Sequence, residues 1–400
     1  MGEFGQLPGQ QFYLELSIKG ERYNPNNIQY FVIREWIFNV LPTIELMIAD
    51  EGYLTEVVPL EDSTEIEVLL AKSEDDPNPL EMTFLLDDYT VDILGDNRKS
   101  LVGITGHLKV DNMFGSQSKS YSNKNSVSVL KQVASDCGLP FKNPHNVVTS
   151  DNMTWLQANL SNQSFICHVL ERAYIPNDLL FFYATHKNEF VLTSLLKEME
   201  KNEIRKAKFN VENMESFVKD DNDPDDTVWF GSYNIVNYSG YFNKKVGYGF
   251  GYSYYDLKGK VISKEFSHIE KLTDLSFRNK DNIGTVVNYN DNVKDFVESN
   301  LYGIEYFQSL SRNGFLLDNF FANSLVLNVN SLSQVNLMDT LDVDIPSMIE
   351  AEQSNPVMSG FYLVCGIQHE VSNGSIYKKK VALGRNGMNK SPNVKRYEVE

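Results

Sequence analysis

Four segments within the first 110 residues alternate apolar and polar positions with a period of two. Phe12, Leu14, Leu16 and Ile18 make the first, and Ile44, Leu46 and Ile48 the second. Ile66, Val68 and Leu70 make the third, and Leu80, Met82 and Phe84 the fourth. Successive side chains in a strand point to opposite faces, so the pattern predicts half-buried strands of a sandwich or barrel. Pro, Gly and Asp punctuate the gaps between them. The opposite positions carry Glu15, Lys19, Glu45, Glu65, Glu67 and Glu81, which makes one sheet face polar and mostly acidic.

The period changes near Gly115, where GSQSKSYSNKN reads as a linker. Asn125 or Ser126 then caps a helix with a face of Val127, Leu130, Ala134 and Cys137, ended by Gly138 and Pro140. A second helix follows Ser161, with Phe165, Ile166, Val169, Leu170 and Ala173 on one side and Pro176 as its stop. Burying those five side chains would contribute about 7–12 kcal/mol before entropy is subtracted, enough to make this helix a firm packing element. Leu179 to Thr185 and Phe190 to Leu196 read as a hairpin turning at residues 186–189.

Residues 215–227, ESFVKDDNDPDDT, read as an acidic loop, and Trp229 to Tyr255 is dense in Tyr, Phe and Gly with strand character. A third helix is predicted from about Glu298 to Ser311. Strands return at Leu325 to Val329, around Val343 and Ile345, and from Phe361 to Ile367. No internal repeat is visible in the residues, although the order of elements suggests two β-domains separated by inserts. The expected fold class is mainly β, with α+β inserts.

Composition narrows the function. At 400 residues with 42% hydrophobic positions, 21 Tyr and 24 Phe, the chain is long enough for two to four cored domains and too apolar to be disordered. A formal charge of −18 opposes binding to a phosphate backbone. The acids concentrate between Glu35 and Asp96, where Lys72 is the only base. Lys378, Lys379, Lys380, Arg385, Lys390, Lys395 and Arg396 make the C-terminus basic, which reads as a solvated tail over 389–400. No signal-peptide pattern or membrane-length apolar run is expected.

Candidate chemistry is thin. Cys137, Cys167 and Cys365 stand far apart and read as buried thiols. His107, His145, His168, His186, His268 and His369 lack helical metal spacing and read as structural. Gly247, Gly249 and Gly251 alternate with aromatics, which indicates strand and not a phosphate cradle. Asp221, Asp223 and Asp225 match the first ligands of a calcium loop, but Asp226 and Ser232 replace its Gly and Glu, so loop 220–226 reads as solvated. Acid pairs such as Asp87 and Asp88 arise by chance among 54 acids, and none is singled out for glycoside cleavage. No serine elbow or Walker loop is present. The sequence assigns no catalytic, cofactor or metal residue and expects no enzyme activity.

Two stretches carry a resemblance. One is VVTSDNMTWLQANLSNQSFICHVLERAYIPNDLLFFYATHKNEFVLTSL, from Val147 to Leu195. The other joins SLVLNVNSLSQVNLMDTLDVDIP, from Ser324, to SGFYLVCGIQHEVSNGSIYKKKVALGRNGM, from Ser359 to Met388. Together they resemble the central baseplate hub protein of contractile-tailed bacteriophages, a family related to the hub part of type VI secretion spikes. The resemblance covers about half the chain; the N-terminal third agrees by strand pattern, and its acidity departs from the family.

That resemblance implies a virion structural protein of the tail baseplate. It implies a homotrimeric ring of pseudo-sixfold symmetry that adapts the hexameric tail tube to the trimeric central spike and lets DNA pass. The implied partners are the spike, tail tube or tube-initiator proteins and other baseplate proteins. The implied domains are two tail-tube-like β-domains, 1–111 and a split one of 206–239 with 320–388, plus inserts 112–205 and 240–319. A channel crossed by DNA benefits from a wall of like charge, screened beyond about 8–10 Å, and Glu45, Glu65, Glu67 and Glu81 are the candidate lining acids. The alternatives are a receptor-binding adhesin using the Tyr-rich 229–255 region, and a cell-wall hydrolase.

Overall fold

The computed structural model describes residues 12–385 apart from 51–52, 58–59, 72, 74–75, 77, 95–98, 177, 200–203, 211–226, 238–248, 256–260, 267–282, 291–308, 310–312, 315–316, 318–320, 322, 331–332, 350–352 and 375. Of 249–255, 261–266 and 283–290 it describes the backbone alone. The acidic loop 220–226, nearly all of the expected third helix and the basic tail 389–400 lie outside the described residues.

The chain is mainly β. Its first unit comprises β1 (Tyr13–Ile18), β2 (Glu21–Tyr23), β3 (Ile28–Trp36), β4 (Thr43–Asp50), β5 (Glu65–Ala71), β6 (Leu80–Leu94) and β7 (Lys99–Leu108). These pair antiparallel in the order β3-β4-β7-β6-β5-β1-β2. The alternating positions behave as the period demands: Leu16, Ile18, Ile44, Leu46, Ile48, Ile66, Val68 and Phe84 are buried. The alternation misses β3, because Phe31, Val32 and Ile33 are buried in succession, a strand covered on both faces.

An α+β insert follows. It contains β8 (Gln117–Lys124), α1 (Ser126–Asp136), β9 (Phe141–Lys142), β10 (Met153–Leu160), α2 (Asn162–Arg172), β11 (Leu180–Ala184), β12 (Phe190–Ser194) and the short α3 (Leu195–Met199). The expected linker at Gly115 is therefore corrected. Most of it is β8, paired with β10, and its polar sequence follows from burying only Tyr121. Asn125 is the α1 cap, its side chain accepting from the Ser128 amide. The buried face of α1 centres on Val129, Leu130, Val133 and Ala134, with Val127 only partly covered. Ser161 caps α2, which buries Phe165, Ile166 and Val169, and Asn313 donates to the Leu170, Glu171 and Ala173 carbonyls at its far end. The insert shares one continuous core with the first β unit.

The second unit is assembled from β13 (Arg205–Phe209), β14 (Val228–Asn237), β18 (Asn323–Val329), β19 (Thr340–Asp344), β20 (Gly360–Ser372) and β21 (Ile376–Arg385). Between β14 and β18 lie β15 (Gly249–Tyr255), β16 (Val261–Phe266) and β17 (Ile283–Asn290), a separate three-stranded sheet. β19 pairs with both β13 and β20, so β13-β14-β18-β21-β20-β19 closes into a six-stranded barrel with its own core.

Five strands of the two units follow the same path. β3-β4-β7-β6-β5 and β14-β18-β21-β20-β19 occupy equivalent places, with the same chain order and antiparallel pairing throughout. Irregularities coincide as well. One bulge lies between Ile28 and Tyr30 on β3, its counterpart between Phe230 and Ser232 on β14. Another lies between Leu86 and Asp88 on β6, its counterpart between Val364 and Gly366 on β20. An extra residue bends and re-aims a strand, so shared bulges mark a shared design. The chain does contain an internal repeat, which is legible only in the backbone.

Candidate functional site

The two units are joined by main-chain pairing. Up to Leu363, β20 is covered by β19; after the bulge at Cys365 its edge turns to β3, from Gly366↔Trp36 to Ser372↔Tyr30. β20 therefore belongs to both units, and all strands from β19 to β2 form one sheet. A glycine is required where β20 crosses β3: a Cβ on Gly366 would stand 2.7 Å from the Trp36 indole. The β20–β21 turn has Asn373 and Gly374 at φ 50° and 60°, the left-handed pair of a two-residue hairpin loop.

A cavity of about 320 Å³ sits at this seam, lined among others by Glu35, His186, His369, Tyr377 and Lys379. The buried Glu35 carboxylate accepts from the His186 backbone N–H at 3.0 Å and faces its Nδ1 at 3.2 Å. Burial alone would raise the Glu35 pKa, but the His186 bond and charge outweigh it and hold the carboxyl below its usual range. Burial drives His369 down to about 3, with Lys379 adding to the effect, so the ring is neutral and shares a 2.8 Å hydrogen bond between Nδ1 and the Tyr377 hydroxyl. Lys379 donates to the Ser333 carbonyl at 2.8 Å. These groups bond one another across β3, β20, β21 and the β11–β12 turn, so their chemistry is that of a polar clamp. His186 and His369 are the functional residues that sequence spacing missed, because their partners come from distant segments.

The remaining candidates are dispersed. His107 bonds Asp87, His145 bonds Glu198, and burial lowers His168 to about 4. Cys137 and Cys365 are buried as expected, and burial lifts the Cys365 thiol to about 12; Cys167 corrects the expectation, for it is exposed on α2. Among the described residues no group of three or more His, Cys, Asp or Glu could hold a metal, and no helix is long and apolar enough to cross a membrane.

The four acids named from the sequence all lie on the outer face of the first unit, on β4, β5 and β6. Glu45 pairs with Arg34 at 2.8 Å and Glu65 with Lys109 at 2.6 Å. Glu67 accepts from the Ser17 hydroxyl at 2.7 Å, and Glu81 is exposed. The matching face of the second unit is mixed: Lys206 and Lys208 on β13 stand in register with Asp342 and Asp344 on β19, and Lys380 pairs with Glu370.

Two strand edges are open among the described residues. β5 covers β6 only from Leu80 to Leu85, so the Asp88–Leu94 half of β6 is paired by β7 on one side alone. Its side chains Tyr89, Val91 and Ile93 are 46%, 37% and 79% exposed. β13 covers β14 only from Val228 to Phe230, leaving the same edge open from Ser232 to Asn237.

No protein-family model matches the chain, and no curated protein matches its sequence. Solved structures do match its fold. The 43 kDa tail protein of prophage MuSo2 from Shewanella oneidensis aligns over 94% of this chain and 100% of its own, at 10% identity and a TM-score of 0.58. The tail protein from Neisseria meningitidis MC58 aligns over 94% of this chain and 97% of its own, at 8% identity and a TM-score of 0.56. The chain is similar to these phage tail proteins along nearly its whole length, and the fold expected from the hub resemblance is the fold observed.

Proposed function

We propose that the chain is a structural hub of a phage tail baseplate. Three copies would form a ring of six similar β units that joins the sixfold tail tube to a threefold central spike and lets DNA through. The observation that carries this reading is the repeat. One chain holds two β units of equivalent strand path, already joined edge to edge in one sheet, so three chains present six near-equivalent units around an axis. We take 1–111 and 206–239 with 320–388 as the tube-like domains, with 112–205 and 240–319 as their inserts. The spike, the tube and other baseplate proteins are the partners in this reading, and its place is the virion tail.

The outer face with Glu45, Glu65, Glu67 and Glu81 would line the channel. Because the second unit's matching face carries Lys206, Lys208 and Lys380, the lining would alternate between acidic and mixed sectors. Electron microscopy of the purified chain tests the reading: closed rings with an open centre and threefold symmetry support it, and single particles of one chain at all concentrations count against it.

A further inference from the structure

We infer that the open edge of β6 pairs with the open edge of β14 in a second copy of this chain, in a register that the molecule itself specifies. This inference rests on the ring reading above and adds the atoms of its joint. The seam inside the chain runs from the distal half of β20 to β3. The repeat makes β6 the counterpart of β20, and β14 the counterpart of β3. The joint from one copy to the next is then the same joint, made with the other two strands.

The counterparts can be followed residue by residue. The last β19–β20 pair, Thr340↔Leu363, corresponds to the last β5–β6 pair, Glu65↔Leu85, and the bulged residues Cys365 and Asp87 coincide. Tyr89, Val91 and Ile93 therefore stand where Ile367, His369 and Val371 stand on β20. Those three are 3%, 7% and 0% exposed, because the seam covers them. On β6 the same positions are an exposed, largely apolar stripe beside unpaired main-chain groups, which is a template for another strand. On the receiving side, the matching bulges align Glu35 with Asn237, Ile33 with Ile235 and Phe31 with Tyr233. β13 stops short of this edge at Phe230 and leaves it open.

Carrying over Ile367↔Glu35, His369↔Ile33 and Val371↔Phe31 gives the register between copies. Tyr89 faces Asn237, Val91 faces Ile235, and Ile93 faces Tyr233, antiparallel. A one-residue slip would turn every side chain of the added strand to the opposite face, so the register is sharply testable. The joint is head-to-tail, and such joints close into rings when the rotation per copy allows it.

Cysteine pairs read the joint directly, since residues opposite one another across an antiparallel pair have Cβ atoms roughly 4.5–5.5 Å apart. In a Cys167→Ser background, Val91→Cys with Ile235→Cys forms disulfides between copies on mild oxidation, giving a non-reducing gel band of three chains. Tyr89→Cys with Asn237→Cys does the same. Val91→Cys with Val236→Cys, slipped by one residue, does not. Thermal melts matching the parent establish that each variant folds, and light scattering under reducing conditions measures assembly separately. A three-chain mass without cross-links, or with cross-links in the slipped pair, overturns the register and leaves the ring reading standing. A one-chain mass at every concentration overturns both.

Discussion

The two β units share five strands and two bulges, yet they meet the solvent differently. The second closes on itself: β13 runs parallel to β19 and bridges it to β14. The first does not, since β1 lies antiparallel to β5 and ends the sheet with the short β2. The long strand shows the sharper contrast. The distal half of β20 is covered by β3, while the distal half of β6 is bare among the described residues and carries exposed Tyr89, Val91 and Ile93. Equivalent strands with unequal cover teach that the chain holds one joint satisfied within itself and the two halves of a second joint ready for its neighbours.

The largest expected effect separates those two halves. Val371→Asp places a charge at a fully buried position of the covered strand and is expected to cost about 3 kcal/mol or more in urea unfolding. Ile93→Asp, at the counterpart position, is expected to change the stability of the single chain by about 0.5 kcal/mol or less while abolishing its assembly. Equal unfolding costs would mean that the two strands are not equivalent in the way described.

Next comes the crossing point. Gly366→Val drives a side chain into the Trp36 indole and is expected to cost about 1–3 kcal/mol by overpacking. Asp88→Val, its counterpart, meets no such strand within the chain and is expected to stay within about 0.5 kcal/mol of the parent.

The polar clamp makes the covered joint sensitive to acid. His369 is neutral in the fold, with a pKa of about 3 against an unfolded value near 6.5, so the unfolded chain binds more protons between those values. Its contribution is fully present above pH 6.5 or so and is lost as pH falls toward 3. Glu35, held below its ordinary value, loses its contribution in the lower part of the same range. Melting temperature should therefore fall steadily from pH 7 to pH 4, and His369→Gln should flatten the part of that slope between pH 6.5 and 5. An unchanged slope in the variant would place the acid sensitivity elsewhere.

The smallest effect on stability is expected at the channel face. Exposed pairs such as Glu45–Arg34 and Glu65–Lys109 contribute about 0.2–1 kcal/mol each, so changing Glu45, Glu65, Glu67 and Glu81 to Lys should leave the melt nearly unchanged. The assembled ring should then retain DNA in a gel-shift assay at low salt. Failure to retain it would remove these acids from the channel wall.

Much of the strand pattern was legible in the sequence because half-buried strands must alternate, and β1, β4, β5 and β18 obey that rule. β3 was hidden because it is covered on both faces, and β8 because a polar, largely exposed strand imitates a linker. The repeat was hidden for a deeper reason. Between aligned β6 and β20, Leu85 and Leu363 are the only identical pair, since pairing geometry constrains burial and bulge position and leaves side-chain identity free. The outer-face acids could be named from alternation, but their neutralising partners Arg34 and Lys109 could not, because those come from other strands. The seam clamp was illegible too, for Glu35 and His186 lie 151 residues apart.

The central claim is that the chain carries a joint for its own copies, and solution mass tests it most directly. Light scattering of the purified chain across a micromolar range should show a mass approaching three chains as concentration rises. A mass of one chain throughout, under conditions where the fold is intact, would contradict the account.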